Sequence, residues 1–404
     1  MGKERSINRP TRGLLYRLFG GFVGFTFAAV LISALTLSEA LPVAEVKVSD
    51  FKPLVFTSQK FPAPPRGMSF GLSIPSLHLG YFPPAKPVPM ASLTKLMTAY
   101  VALRLLGDAP LGSKCETVSA ADVAAYDHEV ATGQSRVEIA LGEVLCIPDL
   151  IKGLIVHSAG DYALILSHLF GTSTSAFVAK MNETALLLGM ENTTYVEPTG
   201  INAHNVSNPK DQVILAGRLM QYSIIREAAR LQSVVLPVAG LVKSFTPLLG
   251  RYHVIGLKSG RTDIAGGCDV MARRITLDGK IRLVLVAVFG ARGGDVLTPA
   301  GQAALMESQA ISTLLSTRRI SKTTIVGALS WEYQIVPLTF SHSLVLHSWV
   351  FEKRLQTHVV TKQINSALPT NSVVAWVYGP DNRILGTLRT TKALHSPSLW
   401  QRLA

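Results

Sequence analysis

Between Ser92 and Leu106 the chain places apolar residues around most of a helix: Leu93, Leu96, Met97, Tyr100, Val101, Leu103, Leu105 and Leu106. A helix that is apolar on so many sides has no solvent face and needs a domain large enough to enclose it. The chain is long enough, with 404 residues of which 48% are hydrophobic and 16% charged, a balance that supports a packed core rather than disorder. Lys95 is the only charged residue from Ser92 to Leu103. A buried lysine has to be neutral, paired or snorkelling. It follows Ser92 by three residues, nearly one turn, so the two side chains share a face.

The pattern elsewhere sets the fold class. Further helices are predicted over 148–157, 162–170 and 175–189. The apolar period then drops to two over 253–259, 267–277 and 281–289, with Asp278-Gly279 as a hairpin signal between the last two. Ala300 to Leu315 is helical again and can cover that sheet. After Thr317 short β-branched runs recur near 323–327, 331–336, 343–350, 356–361, 373–378 and 384–390. Residues 41–90 are proline-rich and read as an extended lead-in with short strands near 68–73 and 77–82. The expected class is α/β of the α+β kind: an antiparallel sheet with helices over 41–317, then a small all-β C-terminal domain over 318–404.

Residues 1–40 read as an export segment. Lys3, Arg5, Arg9, Arg12 and Arg17 precede an uncharged stretch, 18–37, long enough to span a bilayer, and Ser38-Glu39-Ala40 resembles a cleavage site. Cleavage after Ala40 and retention as a membrane anchor both fit, and both place the rest of the chain outside the cytoplasm. The formal charge of +13 favours anionic surroundings such as an acidic cell wall. No nucleic-acid motif accompanies it, and no Cys/His zinc pattern is present. Cys115, Cys146 and Cys268 allow at most one disulfide, or three small core residues.

Ser-x-x-Lys occurs three times, at Ser49/Lys52, Ser92/Lys95 and Ser207/Lys210. Ser49 lies near the apolar segment, and Pro209 interrupts the third match. Only Ser92 opens a buried helix. A serine hydroxyl is a poor nucleophile until a base takes its proton, and a lysine can be that base once burial lowers its pKa. The bland alternative is a helix cap and a surface lysine. Lys258-Ser259-Gly260, with Thr262 following, ends a predicted strand. A cation and two hydroxyls there suit a substrate carboxylate, with the glycine leaving room for a substrate backbone.

In this order the two motifs resemble the active-site set of penicillin-binding proteins and serine β-lactamases. Ala91 to Tyr100 resembles the nucleophile segment of D-alanyl-D-alanine carboxypeptidases. Asp149 to Ala163 resembles the segment with their middle motif, Val196 to Ile201 another family signature, and Gly256 to Thr262 the third motif. The likeness covers about 85–315; the β-rich tail is similar to the C-terminal domain of some members. It implies a β-lactamase/transpeptidase-like fold and removal of the terminal D-alanine from peptidoglycan stem peptides, with β-lactam antibiotics acylating the same serine. Ser92 is then the nucleophile, Lys95 its proton acceptor and Ser158 the relay toward Lys258 and the leaving amine. Lys258, Ser259 and Thr262 hold the carboxylate, and the N–H groups of Ser92 and Arg261 form the oxyanion hole. No metal or cofactor is implied.

One position departs from the family. Its middle motif is Ser-x-Asn; here it is Ser158-Ala159-Gly160. Glycine offers no side-chain hydrogen bond, and one lost donor costs about 2–4 kcal/mol of transition-state stabilisation. On this reasoning Gly160→Asn should raise activity, and the main rival is an impaired homologue that only binds stem peptides or β-lactams. A β-lactamase is disfavoured because no Glu-x-x-Leu-Asn occurs. A purely structural envelope protein is disfavoured by the order of the motifs. His157 beside Ser158 reads as packing, Arg273 and Arg274 as solvent-facing, and Trp331, Trp349, Trp376 and Trp400 as core.

Overall fold

The computed structural model describes residues 43–49, 57–331, 334–352, 357–379 and 382–396. The segment 1–40 and Trp400 lie outside them. Among the described residues no helix is long and apolar enough to cross a membrane. These residues fall into two units, one drawn from 57–316 and 347–352, the other from 43–49, 317–346 and 357–396.

The larger unit is built on a five-stranded antiparallel sheet in the order Val254–Thr262, Gly266–Leu277, Lys280–Ala291, Ser69–Ile74, Leu79–Tyr81. The hairpin at 278–279 forms as expected, with Asp278 (φ 49°) and Gly279 (φ 71°) both left-handed, as a tight two-residue turn requires. Both faces are covered, so alternate residues enter different cores. Val270 and Ala272 join the helical side with Leu96, Ile155, Tyr162 and Phe177. Met271 between them packs with Val286, Ala304 and Ile311, under the helix Leu297–Leu314. Trp349, expected in the β-rich tail's core, packs here instead, against Phe61, with Nε1 donating to Gly80 O at 2.9 Å.

On the helical side, Thr94–Leu106 buries every residue except Arg104 and Leu105, as its all-round apolar pattern demands. Ile147–Lys152 continues into a π-helical turn, Gly153–His157, which stops at the left-handed Ser158 (φ 63°). Gly160–His168 and Thr174–Leu187 follow. The helix Ala120–Ala131 was not expected. Its signal was the Ser119-x-x-Asp122 capping box, in which Asp122 Oδ2 accepts from Ser119 N at 2.8 Å and Ser119 Oγ from Asp122 N at 3.3 Å. Cys115 and Cys146, opposite each other on a two-stranded ladder, form a disulfide; Cys268 is a buried free thiol.

The smaller unit is a six-stranded antiparallel sheet, in the order Glu45–Val48, Gly327–Trp331, Gln334–Phe340, Ile384–Thr390, Val373–Tyr378, His358–Thr361. Trp331, Leu338, Phe340, Val374 and Leu388 form its core. Its edge strand Glu45–Val48 comes from the proline-rich lead-in. The run at 323–327 is mostly turn: Ser321 and Thr323 bond each other at 2.9 Å, and Thr324 N reaches Ser321 O at 3.0 Å. Such local bonds compete with a strand ladder.

Candidate active site

Ser92 sits in a single helical turn, Ala91–Leu93, that leads into Thr94–Leu106. Lys95 Nζ donates to Ser92 Oγ at 3.2 Å and to Thr199 O at 2.6 Å. The lysine is 3% exposed. Burial pushes its pKa down to about 8, against the pull of Glu197, Glu129 and Asp161. A lysine near 8 carries some free base at neutral pH and can take a proton from the hydroxyl it touches.

Two glycines hold the Ser92 turn. Ala91 has φ 49°, a left-handed conformation uncommon outside glycine. Gly200 (φ 91°) packs where a Cβ would collide with Ala91 O. A Cβ at Gly260 would stand 2.7 Å from Ser92 N. Gly260 therefore packs directly against the Ser92 turn. Glu197 shapes the 197–205 loop, accepting from Thr199 N (2.6 Å), Thr199 Oγ1 (2.7 Å), Gly200 N (2.7 Å) and Asn205 Nδ2. That loop aims Thr199 O at Lys95.

A cleft of about 680 Å³ opens over Ser92 and Lys95, walled by Thr199, Arg261, Thr262 and Arg292 among others. Arg292 ties down one wall by donating to Asp263 O (3.0 Å) and Ile264 O (2.9 Å). Of the residues expected to bind substrate, Arg261 and Thr262 line this cleft. Lys258, Ser259, Gly260 and Gly160 are buried and do not. Ser259 Oγ donates to Phe245 O at 3.0 Å, so its proton is committed to the 240–247 segment. Lys258 Nζ donates to Ser259 O at 2.6 Å. Burial, then the charge of Lys95, holds its pKa well below the ordinary lysine range. Asp269 is its buried counterpart, pushed up by burial, with neither oxygen bonded to any described group.

Ser158 Oγ is also buried without a partner among the described residues. Gly160, two residues on, opens the helix Gly160–His168 and donates its N–H to Ser135 O at 2.8 Å. The absent side chain does not leave a void. Glu129 Oε1 occupies the place of a Cβ at 160, with Cδ 3.0 Å from it, and Glu129 Oε2 accepts from Asp161 N at 2.9 Å. Burial raises Glu129 to about 7, partly offset by Lys95. Burial and Glu129 raise Asp161 to about 8. An asparagine at 160 would therefore meet the carboxyl of Glu129, which would have to shift to admit it. His157 is packing, its ring 4.6 Å from that of Phe245 and its Nδ1 2.8 Å from Lys243 O. Arg273 is half-buried, bonded to Tyr252 O and Ser308 Oγ, whereas Arg274 faces solvent.

A family model described as D-alanyl-D-alanine carboxypeptidase matches residues 83–293, just over half of the chain. A D-alanyl-D-alanine endopeptidase of Escherichia coli is 31% identical over 212 residues, covering 50% of this chain and 64% of that one. A D-alanyl-D-alanine carboxypeptidase of Bacillus subtilis is 29% identical over 138 residues, 33% of each. The chain thus spans less than two thirds of either relative. The crystal structure of a DD-transpeptidase from Streptomyces aligns with a TM-score of 0.55 at 24% identity, covering 63% of this chain and 100% of that one. A peptidoglycan synthesis regulatory factor from Streptococcus pneumoniae aligns at 0.59 and 20%, covering 80% and 98%. At these identities the two structures bear on the fold, and they share it.

Proposed function

The chain belongs to the D-alanyl-D-alanine carboxypeptidase family, and on that premise we propose that it is a serine D-Ala-D-Ala carboxypeptidase acting on peptidoglycan stem peptides outside the cytoplasm. The contact between Ser92 Oγ and the buried Lys95 Nζ carries this reading. Lys95 takes the hydroxyl proton while Ser92 Oγ attacks the carbonyl carbon of the penultimate D-alanine. The N–H groups of Ser92 and Arg261 receive the oxyanion. The peptide C–N bond then breaks. The departing D-alanine amine receives the proton through Ser158, and water hydrolyses the Ser92 ester.

The cleft supports a division of labour for the substrate carboxylate. Thr262 and Arg261 meet it directly. Lys258, buried beside Lys95, acts on it through charge. An arriving carboxylate favours the protonated form of Lys258, so binding takes up a proton. β-Lactams acylate Ser92 in the same way. Residues 1–40 deliver the chain to the envelope as a signal or an anchor, with catalysis in 41–317.

Gly160 favours a second reading, an impaired homologue that binds stem peptides without turnover. The deciding experiment measures D-alanine release from a diacetyl-Lys-D-Ala-D-Ala peptide by the full chain, with Ser92→Ala as control and fluorescent penicillin labelling in parallel. Release and labelling that both vanish in the variant support the carboxypeptidase. Labelling without release leaves the binder. Labelling that persists in Ser92→Ala rejects both. A cross-linked muropeptide in the same assay separates carboxypeptidase from endopeptidase, the name carried by the Escherichia coli relative.

A further inference from the structure

We propose that Glu129 is the positioning residue of the middle motif, supplying from another helix the polar side chain that Gly160 lacks. This deepens the carboxypeptidase reading and rests on it. Glu129 is held in place by more than its own bond. The helices Ala120–Ala131 and Gly160–His168 are joined twice. Asp122 Oδ1 contacts His168 Nε2 at 2.9 Å, and two turns away Glu129 Oε2 accepts from Asp161 N at 2.9 Å. The register between the helices is therefore set at both ends, and the carboxyl is delivered to the first turn that follows Ser158. Oε1 fills the Cβ place of Gly160, so one oxygen anchors the turn and the other stands where a residue-160 side chain would begin.

The charges facing Glu129 are Lys95 from Thr94–Leu106, Asp161 from Gly160–His168, Arg136 from the segment after its own helix and Glu197 from the 197–205 loop. Lys95 already spends two donors on Ser92 Oγ and Thr199 O. Glu129 thus reaches it through the field, favouring the lysine's protonated form. It has two effects: it holds the Ser158–Gly160 turn, and it tunes the base that activates Ser92.

The test is the rate at which a fluorescent penicillin acylates the full chain, measured against pH, with thermal unfolding as a control for folding. Glu129→Ala should label at least ~10-fold more slowly. Gly160→Asn should also be slow, because Glu129 stands in its way. Combining Glu129→Ala with Gly160→Asn should recover most of the loss. Combining Glu129→Ala with Gly160→Ala should not, since alanine restores volume without a polar group. Glu129→Gln keeps the acceptor for Asp161 N but not the charge, so its acid limb should move to lower pH by at least ~0.5 unit. Equal recovery in both double variants, or wild-type rates in Glu129→Ala, overturns the inference. If Glu129→Ala does not fold, the glutamine variant decides alone, and an unmoved acid limb overturns it. A wild-type chain that takes no penicillin at all rejects the parent reading, and this inference with it.

Discussion

At the scale of single residues, burial makes Lys95 useful and glycines make Ser92 reachable. With Lys95 lowered to about 8, acylation should rise with pH and level off above about 8, as the lysine loses its proton. Lys95→Arg keeps a cation on the same stem but cannot give up its proton. It should cut penicillin labelling by at least ~100-fold; near-wild-type labelling would remove Lys95 from the proton path. Gly200→Ala tests the packing of the Ser92 turn. Its Cβ would meet Ala91 O at a φ of 91°, so we expect a loss of about 1–3 kcal/mol in a denaturant titration, together with slower labelling. Unchanged stability would mean that the 197–205 loop yields freely.

At the scale of elements, two helices carry opposite kinds of risk. Ala120–Ala131 lies within the loop closed by Cys115–Cys146, whose partners are 31 residues apart. Chain-entropy arguments put such a closure at about 3–4 kcal/mol. Reduction should lower the unfolding midpoint and slow labelling too, because the same loop brings Glu129 to the site. A midpoint insensitive to reductant would show that the loop is held without the bond. Leu297–Leu314 carries Glu307, fully buried under the sheet with neither oxygen bonded to a described group, and burial pushes it up to about 8. A raised carboxyl favours the folded state while protonated and loses that advantage as pH rises through about 8. Glu307→Gln should therefore raise Tm by a few degrees at pH 8.5 and by little at pH 5. An equal shift at both values would place its effect outside ionisation.

At the scale of the whole molecule, the same burial makes stability and reactivity run in opposite directions. Glu129, Asp161 and Glu307 are raised to about 7, 8 and 8, so the folded state holds protons that the unfolded chain releases near pH 4. Lys258 and Asp269 shift in opposite senses, so their contributions to the proton balance oppose each other. Stability should fall from about pH 5 to 8 while penicillin acylation climbs over the same range. A Tm that rises across that interval would contradict the protonated state of these acids.

The local pattern determined much of this. The all-round apolar helix after Ser92, the period-two strands and the Asp278-Gly279 hairpin follow from backbone geometry and side-chain burial, which act over a few residues. The Ser92–Lys95 pair was legible for the same reason, since three residues along a helix bring the side chains together. Tertiary structure alone decided the rest. Glu129 and Gly160 are 31 positions apart, and no spacing rule links them until two helices pack. Nothing in the sequence around Gly260 reveals that it packs against the Ser92 backbone. Ser259 is a hydroxyl on a strand until it donates its hydrogen bond to Phe245 O. In each case the outcome depends on which remote group comes into contact, and that is set by packing between segments that are distant in sequence.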